Sequence, residues 1–258
     1  MTSMINAPEL WAARLPKPSL DGHKYHRGHA VILGAETYTG ATRLAAEACS
    51  RIGAGLVTVH SPAQAQVYRA TLAADIMVRD DALSALNQPG TVLAGPGGCS
   101  DAQAAALSAL QGPFDLVLDA DAIRLWRTQK ARSCIVTPHE GEFERYFENH
   151  AGDTATRASA AAKSSGLIMV LKGPQTVIGA PDGQTVLNST ASPYLAKAGT
   201  GDVLAGLITG LLAQGMPAFD AACAGVWIHG HAGERIGPGL IPQDITAEIQ
   251  SILAELLA

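Results

Sequence analysis

The sequence predicts an α/β fold: a mostly parallel central sheet covered by helices on both faces, with an antiparallel hairpin near its end. Three observations carry this. Short, fully apolar runs alternate with alanine-rich amphipathic segments over residues 30–173, and strands without a polar face belong in a sheet buried on both sides. Two β-rich runs then flank Pro181-Asp182-Gly183, residues that favour a tight reversal. From Thr200 onward the pattern is mostly helical.

The elements follow in order. After a proline-punctuated opening (Pro8, Pro16, Pro18), AVILG at 30–34 reads as a strand, ATRLAAEACSRIG at 41–53 as a helix and GLVTVH at 55–60 as a strand. TVLAGPGG at 91–98 runs from a strand into a glycine turn, and a helix is expected from Asp101 to about Leu110. DLVLDADAI at 115–123 and CIVTPHEGEF at 134–143 each read as a strand followed by polar residues. A helix from about Asp153 to Ser165 precedes the strand GLIMVLKG at 166–173. QTVIGAPDGQTVLN at 175–188 supplies the hairpin, and helices are expected near 202–214, 218–236 and 244–257. No repeat, low-complexity tract or linker interrupts this order, which predicts one domain over residues 1–258.

Composition narrows the function. The chain is 47% hydrophobic, enough for a sizeable core, and carries a formal charge of −5 with no basic block. That balance disfavours nucleic acid or an anionic membrane as partner and points to a small molecule. Cys49, Cys99, Cys134 and Cys223 are scattered without CxxC spacing, three of them in apolar runs; they read as reduced core thiols, which suggests a cytoplasmic protein. The opening MTSMINAPELW lacks the basic-then-apolar order of a signal peptide, and no apolar run reaches membrane-spanning length, so a soluble, intracellular chain is expected.

In an open α/β sheet, ligands bind outside the carboxyl ends of the strands. The residues just after each apolar run are therefore the informative ones. They include Gly40 and Ala41 opening a helix, the Pro-Gly-Gly of 96–98, Asp119 and Asp121, His139 with Glu140 and Glu142, and Lys172 with Gly173. Each has an ordinary alternative. Asp119 and Asp121 read either as a metal- or water-positioning pair or as caps of the next helix. His139 reads as a ligand contact or a structural histidine, and Glu142 as an orienter of metal-bound water or a helix-start acid. Lys172 suits a phosphate or snorkels at the sheet edge. In AGTGD, the amides of Gly199 to Gly201 either form an anion hole with Asp202 as proton acceptor, or make a turn in which Asp202 is a first-turn acid favoured by the helix dipole.

Other candidates are weaker. His23, His26 and His29 are spaced H-x-x-H-x-x-H but lack an acidic partner, and His229 and His231 point in different directions on a helix. No HExxH, GxSxG, GxxxxGK[ST] or strand-following GxGxxG is present, which removes the usual support for metalloprotease, serine hydrolase, P-loop and dinucleotide-fingerprint readings.

Taken in order, HKYHRGHAVILG, YTGATRLAAEACSRIGAGLVTV, GPG, VLDADAI, TPHEGEF, VLKGPQTVI with PDG, and AGTGDVLAGLITGLLAQG followed by AGVWIHGHAG resemble the ADP/ATP-dependent NAD(P)H-hydrate dehydratase family of the ribokinase-like superfamily. The resemblance covers about residues 20 to 245. It implies a three-layer α/β/α ribokinase-like fold and a lyase that repairs (S)-hydrated NADH or NADPH. In this family a nucleotide phosphorylates the hydrate hydroxyl, and phosphate loss restores the reduced cofactor. The resemblance places Ala41, Gly97 and His139 at the hydrated dinucleotide, together with Asp202, the catalytic acid. It places Lys172, Gly173, Pro174, Gln175 and Thr176 at the adenine nucleotide, with Gly199, Thr200 and Gly201 at the phosphates. It further implies ADP or ATP as co-substrate, ADP being preferred, and Mg2+ held with few protein ligands. A homotetramer and a separate epimerase complete the expectation. Alternatives are a vitamin-precursor or sugar kinase of the same superfamily, a non-catalytic nucleotide sensor and an oxidoreductase. The chain departs from the family pattern at Gly98-Cys99, Ala35 and Lys197.

Overall fold

The computed structural model describes residues 4–86, 89–148 and 150–258. Its elements begin with β1 (Met4–Asn6), β2 (His29–Leu33), α1 (Thr39–Arg51), β3 (Leu56–His60), α2 (Ala65–Thr71), β4 (Ile76–Arg79), β5 (Thr91–Ala94) and α3 (Asp101–Ala109). They continue with β6 (Asp115–Leu118), β7 (Ser133–Val136), α4 (Glu140–Tyr146), α5 (Thr154–Ser165), β8 (Ile168–Leu171), β9 (Val177–Gly179) and β10 (Thr185–Asn188). Three helices close the chain: α6 (Thr200–Ala213), α7 (Ala218–Ile236) and α8 (Pro242–Leu257).

The strands form one sheet in the order β1-β10-β9-β8-β7-β6-β5-β2-β3-β4. Pairing is parallel except for β8 with β9 and β9 with β10, so the expected hairpin is present and contributes two antiparallel seams. Period-2 alternation divides the buried strand residues between two cores. Ala30, Ile32, Leu93, Val117 and Val170 join α1, α6, α7 and α8 on one face, whereas Val31, Leu33, Val92, Leu118 and Leu171 join α3, α4 and α5 on the other. This is the expected three-layer arrangement.

The sequence pattern does not announce β1, α2 or β4. Both strands are short edge strands, and Met4, Ile5 and Met77 are exposed, so the apolar run that marks a two-sided buried strand is missing. β1 is anchored instead by polar contacts. The buried Asn6 amide donates to Asn188 Oδ1 at 2.8 Å and to the Cys223 carbonyl at 2.8 Å, while its Oδ1 accepts from Trp11 Nε1 at 3.1 Å.

Backbone approach sets the placement of α6. A Cβ on Gly206 would stand 2.2 Å from the Ala45 carbonyl oxygen, and one on Gly210 would stand 2.7 Å from that of Cys49. The helices α1 and α6 therefore touch along their main chains, which fixes where α6 begins. Gly206→Ala should cost a net of about 1–3 kcal/mol of stability from overpacking, despite alanine's helix preference of about 1 kcal/mol. The midpoint of denaturant unfolding reads this; an unchanged or raised midpoint would refute so close a contact.

Candidate functional site

The order of β5, β2 and β3 reverses the direction of chain progression at β2, and such a switch point opens a crevice beyond the carboxyl ends of the strands. Thr42 ties the two sides together: its Oγ1 accepts from Ala35 N at 3.0 Å and donates to the Pro96 carbonyl at 3.0 Å. Gly97 has φ +83°, and a Cβ there would lie 2.3 Å from the Tyr38 carbonyl and 3.2 Å from Ala41 Cβ. Ala41 and Gly97, distant in sequence, are thus neighbours at this crevice. Ala35, a departure from the family pattern, is fully buried and receives the Tyr68 hydroxyl on its carbonyl at 2.8 Å.

The start of α6 stands near the carboxyl ends of the neighbouring strands. Gly199 is its N-cap, with φ +97° and no side chain to cap the first amides. The Thr200 hydroxyl is within 2.8 Å of both the Leu195 and Lys197 carbonyls, and Thr200 N–H bonds Lys197 O at 3.3 Å. One of the three amides expected to form an anion hole is therefore already bonded within the chain. Thr200 N–H is engaged, and the amides of Gly201 and Asp202 occupy the first turn, where a helix offers no carbonyl partner. From α7, the buried His229 Nε2 lies 2.9 Å from the Thr200 carbonyl. A carbonyl only accepts, so this nitrogen carries the proton. Burial lowers the His229 pKa to about 4, with the nearby Lys172 adding to the effect and the hydrogen bond opposing it, so the ring is neutral at physiological pH.

Charge concentrates at the ends of β6 and β8. Lys172 is not a snorkelling lysine: its Nζ donates to Asp119 Oδ1 at 3.0 Å and lies 3.5 Å from the point where a Cβ on Gly201 would stand. Asp119 is buried, and its Oδ1 also accepts from Thr137 Oγ1 at 2.7 Å. The helix-cap alternative for Asp119 is corrected, since its side chain caps nothing in the 3₁₀ turn that follows. Nor does it pair with Asp121, which is exposed. Burial works against the Lys172 ammonium, but the charge and hydrogen bond of Asp119, with Glu142 and Asp202 further off, outweigh it and raise its pKa. Asp202 moves the other way from an ordinary carboxyl. Burial first, then the charge of Asp119, lift it to about 6, against the pull of Lys172 and of its own backbone amide.

His139 and Lys172 are bridged through the main chain, Lys172 N donating to the Pro138 carbonyl at 2.8 Å. His139 is the N-cap of α4; its Nδ1 accepts from Gly141 N at 3.1 Å and Glu142 N at 3.3 Å, and Glu142 Oε2 accepts from His139 N at 2.8 Å. The ring is held in place yet its side chain is 61% exposed. Glu142 is thus the acid of a capping box. Gly173, Pro174 and Gln175 are exposed in the loop between β8 and β9, and Thr176 is partly buried at its end.

Ala41, Gly97, His139, Lys172 and Asp202 all lie in segments that follow a strand or open a helix at this edge. Lys197 is exposed, and Arg124 braces the Cys99 turn by donating to the Cys99 carbonyl at 3.2 Å and Asp101 Oδ1 at 3.1 Å. His23 and His26 stack with ring centroids 3.7 Å apart, whereas His29 bonds Thr58 at 2.8 Å in the sheet, so the H-x-x-H-x-x-H spacing gathers no common site. Sequence reasoning missed the bond between Asp119 and Lys172, the support from Thr137 and the contact of His229 with α6. The only signal available was that each follows or faces a strand end.

The NAD(P)H-hydrate dehydratase family model matches residues 29–253. A bifunctional NAD(P)H-hydrate repair enzyme from Salinibacter ruber is 36% identical over 92% of this chain and 48% of its own. The chain spans about half the length of the first such relatives it matches. An ADP-dependent (S)-NAD(P)H-hydrate dehydratase from Neisseria meningitidis is 33% identical over 100% of this chain and 89% of its own. Among solved structures, the ADP/ATP-dependent NAD(P)H-hydrate dehydratase from Bacillus subtilis, co-crystallised with ATP and Mg2+, superposes with a TM-score of 0.84 at 27% identity, covering 99% of each chain. On the family match and these relatives, the chain belongs to the NAD(P)H-hydrate dehydratase family, with its ribokinase-like fold.

Proposed function

We propose that this chain is an ADP-dependent (S)-NAD(P)H-hydrate dehydratase, a lyase. The observation that carries the reading is Asp202: an acid in the first turn of α6 whose pKa is lifted to about 6, beside Lys172 and the amides of the helix start. Such a group is a proton acceptor poised near neutrality next to a pole that attracts phosphate. In the first step an Asp202 carboxylate oxygen takes the proton of the hydrate hydroxyl. The hydroxyl oxygen then bonds the terminal phosphorus of ADP, and the bond from that phosphorus to the AMP oxygen breaks. Loss of the new phosphate ester with a proton from the adjacent carbon restores the ring double bond, giving NAD(P)H, AMP and phosphate. Lys172 and the amides of Gly201 and Asp202 offset the charge that gathers on the transferred group.

Ala41, Gly97 and His139 hold the dinucleotide in this reading, the segment from Lys172 to Thr176 holds the adenine nucleotide, and Gly199, Thr200 and Gly201 form the phosphate turn. Mg2+ brought in with the nucleotide would supply charge neutralisation on the phosphates, held with few protein ligands as the family resemblance implies. By resemblance to the family, the reading includes a cytoplasmic homotetramer that depends on a separate epimerase to interconvert hydrate epimers. The direct test is recovery of dihydronicotinamide absorbance from hydrated NADH with magnesium and either ADP or ATP. Dependence on ADP with release of inorganic phosphate is expected, and turnover with ATP at least equal to that with ADP would overturn the donor assignment. A phosphorylated product that persists would make the protein a kinase.

Asp202→Asn keeps the shape and removes the proton acceptor, so turnover should fall by roughly 10²- to 10⁴-fold, while calorimetric ADP affinity survives. The raised pKa fixes a second sign. Ionised Asp202 opposes folding fully above about pH 6, and the penalty disappears as pH falls below the usual carboxyl value of about 3.9. The variant should therefore be more stable than the parent at pH 8 and equal to it near pH 3. A helix-dipole acid would give the opposite at pH 8, and near-normal turnover would end the assignment.

The rate profile follows from the same group. Because the base must be ionised, kcat/KM should decline as pH drops through about 6; a flat profile from pH 5 to 8 would contradict it.

His139→Ala removes an exposed ring from the dinucleotide side together with a helix cap that contributes about 0.5–2 kcal/mol. KM for the hydrate should rise more than kcat falls. The reverse pattern would make His139 an acid–base participant, and a change in melting temperature alone would leave it a cap.

A further inference from the structure

The Lys172 ammonium is bonded to one acid and feels the charge of two others, Glu142 and Asp202. Asp119 Oδ1 accepts it at 3.0 Å and accepts Thr137 Oγ1 at 2.7 Å. Gly201 is also close, 3.5 Å from Nζ measured to the position of an added Cβ, with Asp202 the next residue. The partner at ion-pair distance is nevertheless Asp119. The backbone around Asp119 is tightly determined: its N–H bonds the Ala94 carbonyl at 3.0 Å, and Ala120 follows with φ +48°, the sole non-glycine left-handed residue among those described. Such strain persists only where the surroundings enforce it.

We propose that Asp119 is a positioning residue for the reaction: with Thr137 behind it, its carboxylate draws the Lys172 ammonium away from Asp202 and fixes it at the start of α6, leaving Asp202 free to accept a proton. The inference rests on the reading of Asp202 as the base. Without Asp119 the ammonium is left with Glu142 and Asp202 as its neighbouring acids, and a direct ion pair with Asp202 would hold that carboxyl ionised, as a weak base. The groups facing this point are few. Asp119 comes from the end of β6, Lys172 from β8, Glu142 from α4 and Asp202 from α6, and His229 on α7 is neutral. Lys172 is thus the shared counter-charge of three acids, and Asp119 decides which of them holds it.

The test is the Asp202 carboxyl pKa, followed by carbon NMR in the intact chain and in Asp119→Asn, Lys172→Met and the double variant. Asp119→Asn should lower the Asp202 titration by about one to three pH units, with a smaller drop when the same change is made in the Lys172→Met background. Equal drops in both backgrounds would show that Asp119 acts by its own charge and would overturn the positioning role, as would no drop at all. Thr137→Val keeps the Asp119 charge but loosens its anchor, and should move Asp202 downward by less. It carries the test if Asp119→Asn does not fold, and an unmoved titration there overturns the proposal. The titration needs no turnover, so it fails or succeeds separately from the base reading, which near-normal turnover of Asp202→Asn would refute.

Discussion

The close approach of α1 and α6 is the constraint on which the rest of the site depends. Two helices that meet along their main chains at Gly206 and Gly210 have little freedom to slide. The start of α6 is therefore held at a fixed height above the sheet, near the ends of β6 and β8. Gly199 completes the placement by turning the chain into α6 between Leu44 of α1 and Pro242 of α8. A side chain at these positions would push α6 away from α1 and α8 and shift the start of α6.

Within that frame the electrostatics follow from burial. One cation, Lys172, serves Asp119 closely and Glu142 and Asp202 at longer range. Burial and then the charge of Asp119 lift the Asp202 carboxyl, and Lys172 offsets them only in part. His229 adds no charge, yet it ties α7 to the first residue of α6. Two layers and three strand ends thus meet at one helix start, a combination suited to handling a phosphoryl group in a partly dry setting.

Much of this was legible in the sequence. Two-sided apolar strands such as HAVIL and IMVL declare themselves because both their faces are buried, and Pro181-Asp182-Gly183 marks the hairpin through its turn preferences. Helices α6, α7 and α8 fall within two residues of the expected bounds, as caps and glycines suggest. The edge strands β1 and β4 were not legible, since an edge strand lacks the apolar pattern and is defined by its partner. At the site, residue types after strand ends pointed to the right loops, but partnership did not. Asp119 and Lys172 are 53 positions apart, and no local rule says that one accepts the other. The Thr200 amide was counted as free because its bond to Lys197 O depends on the shape of the turn. Family resemblance supplied the substrate class, which composition and periodicity do not encode.

The strand β1 carries a consequence for how the chain is made. It pairs in parallel with β10, and the Asn6 side chain bonds Asn188 across 182 positions. A ribosome releases β1 early and β10 late, so the first strand waits while most of the sheet is synthesised. The pairing is long-range and has loop-closure entropy to overcome before it forms, unlike a local pairing such as β2 with β3. Until then the outer edge of β10 presents unpaired amides and carbonyls, an invitation to pairing with other chains. The short β1, held by the side chain of Asn6 as well as by its backbone, is the cover that ends this exposure.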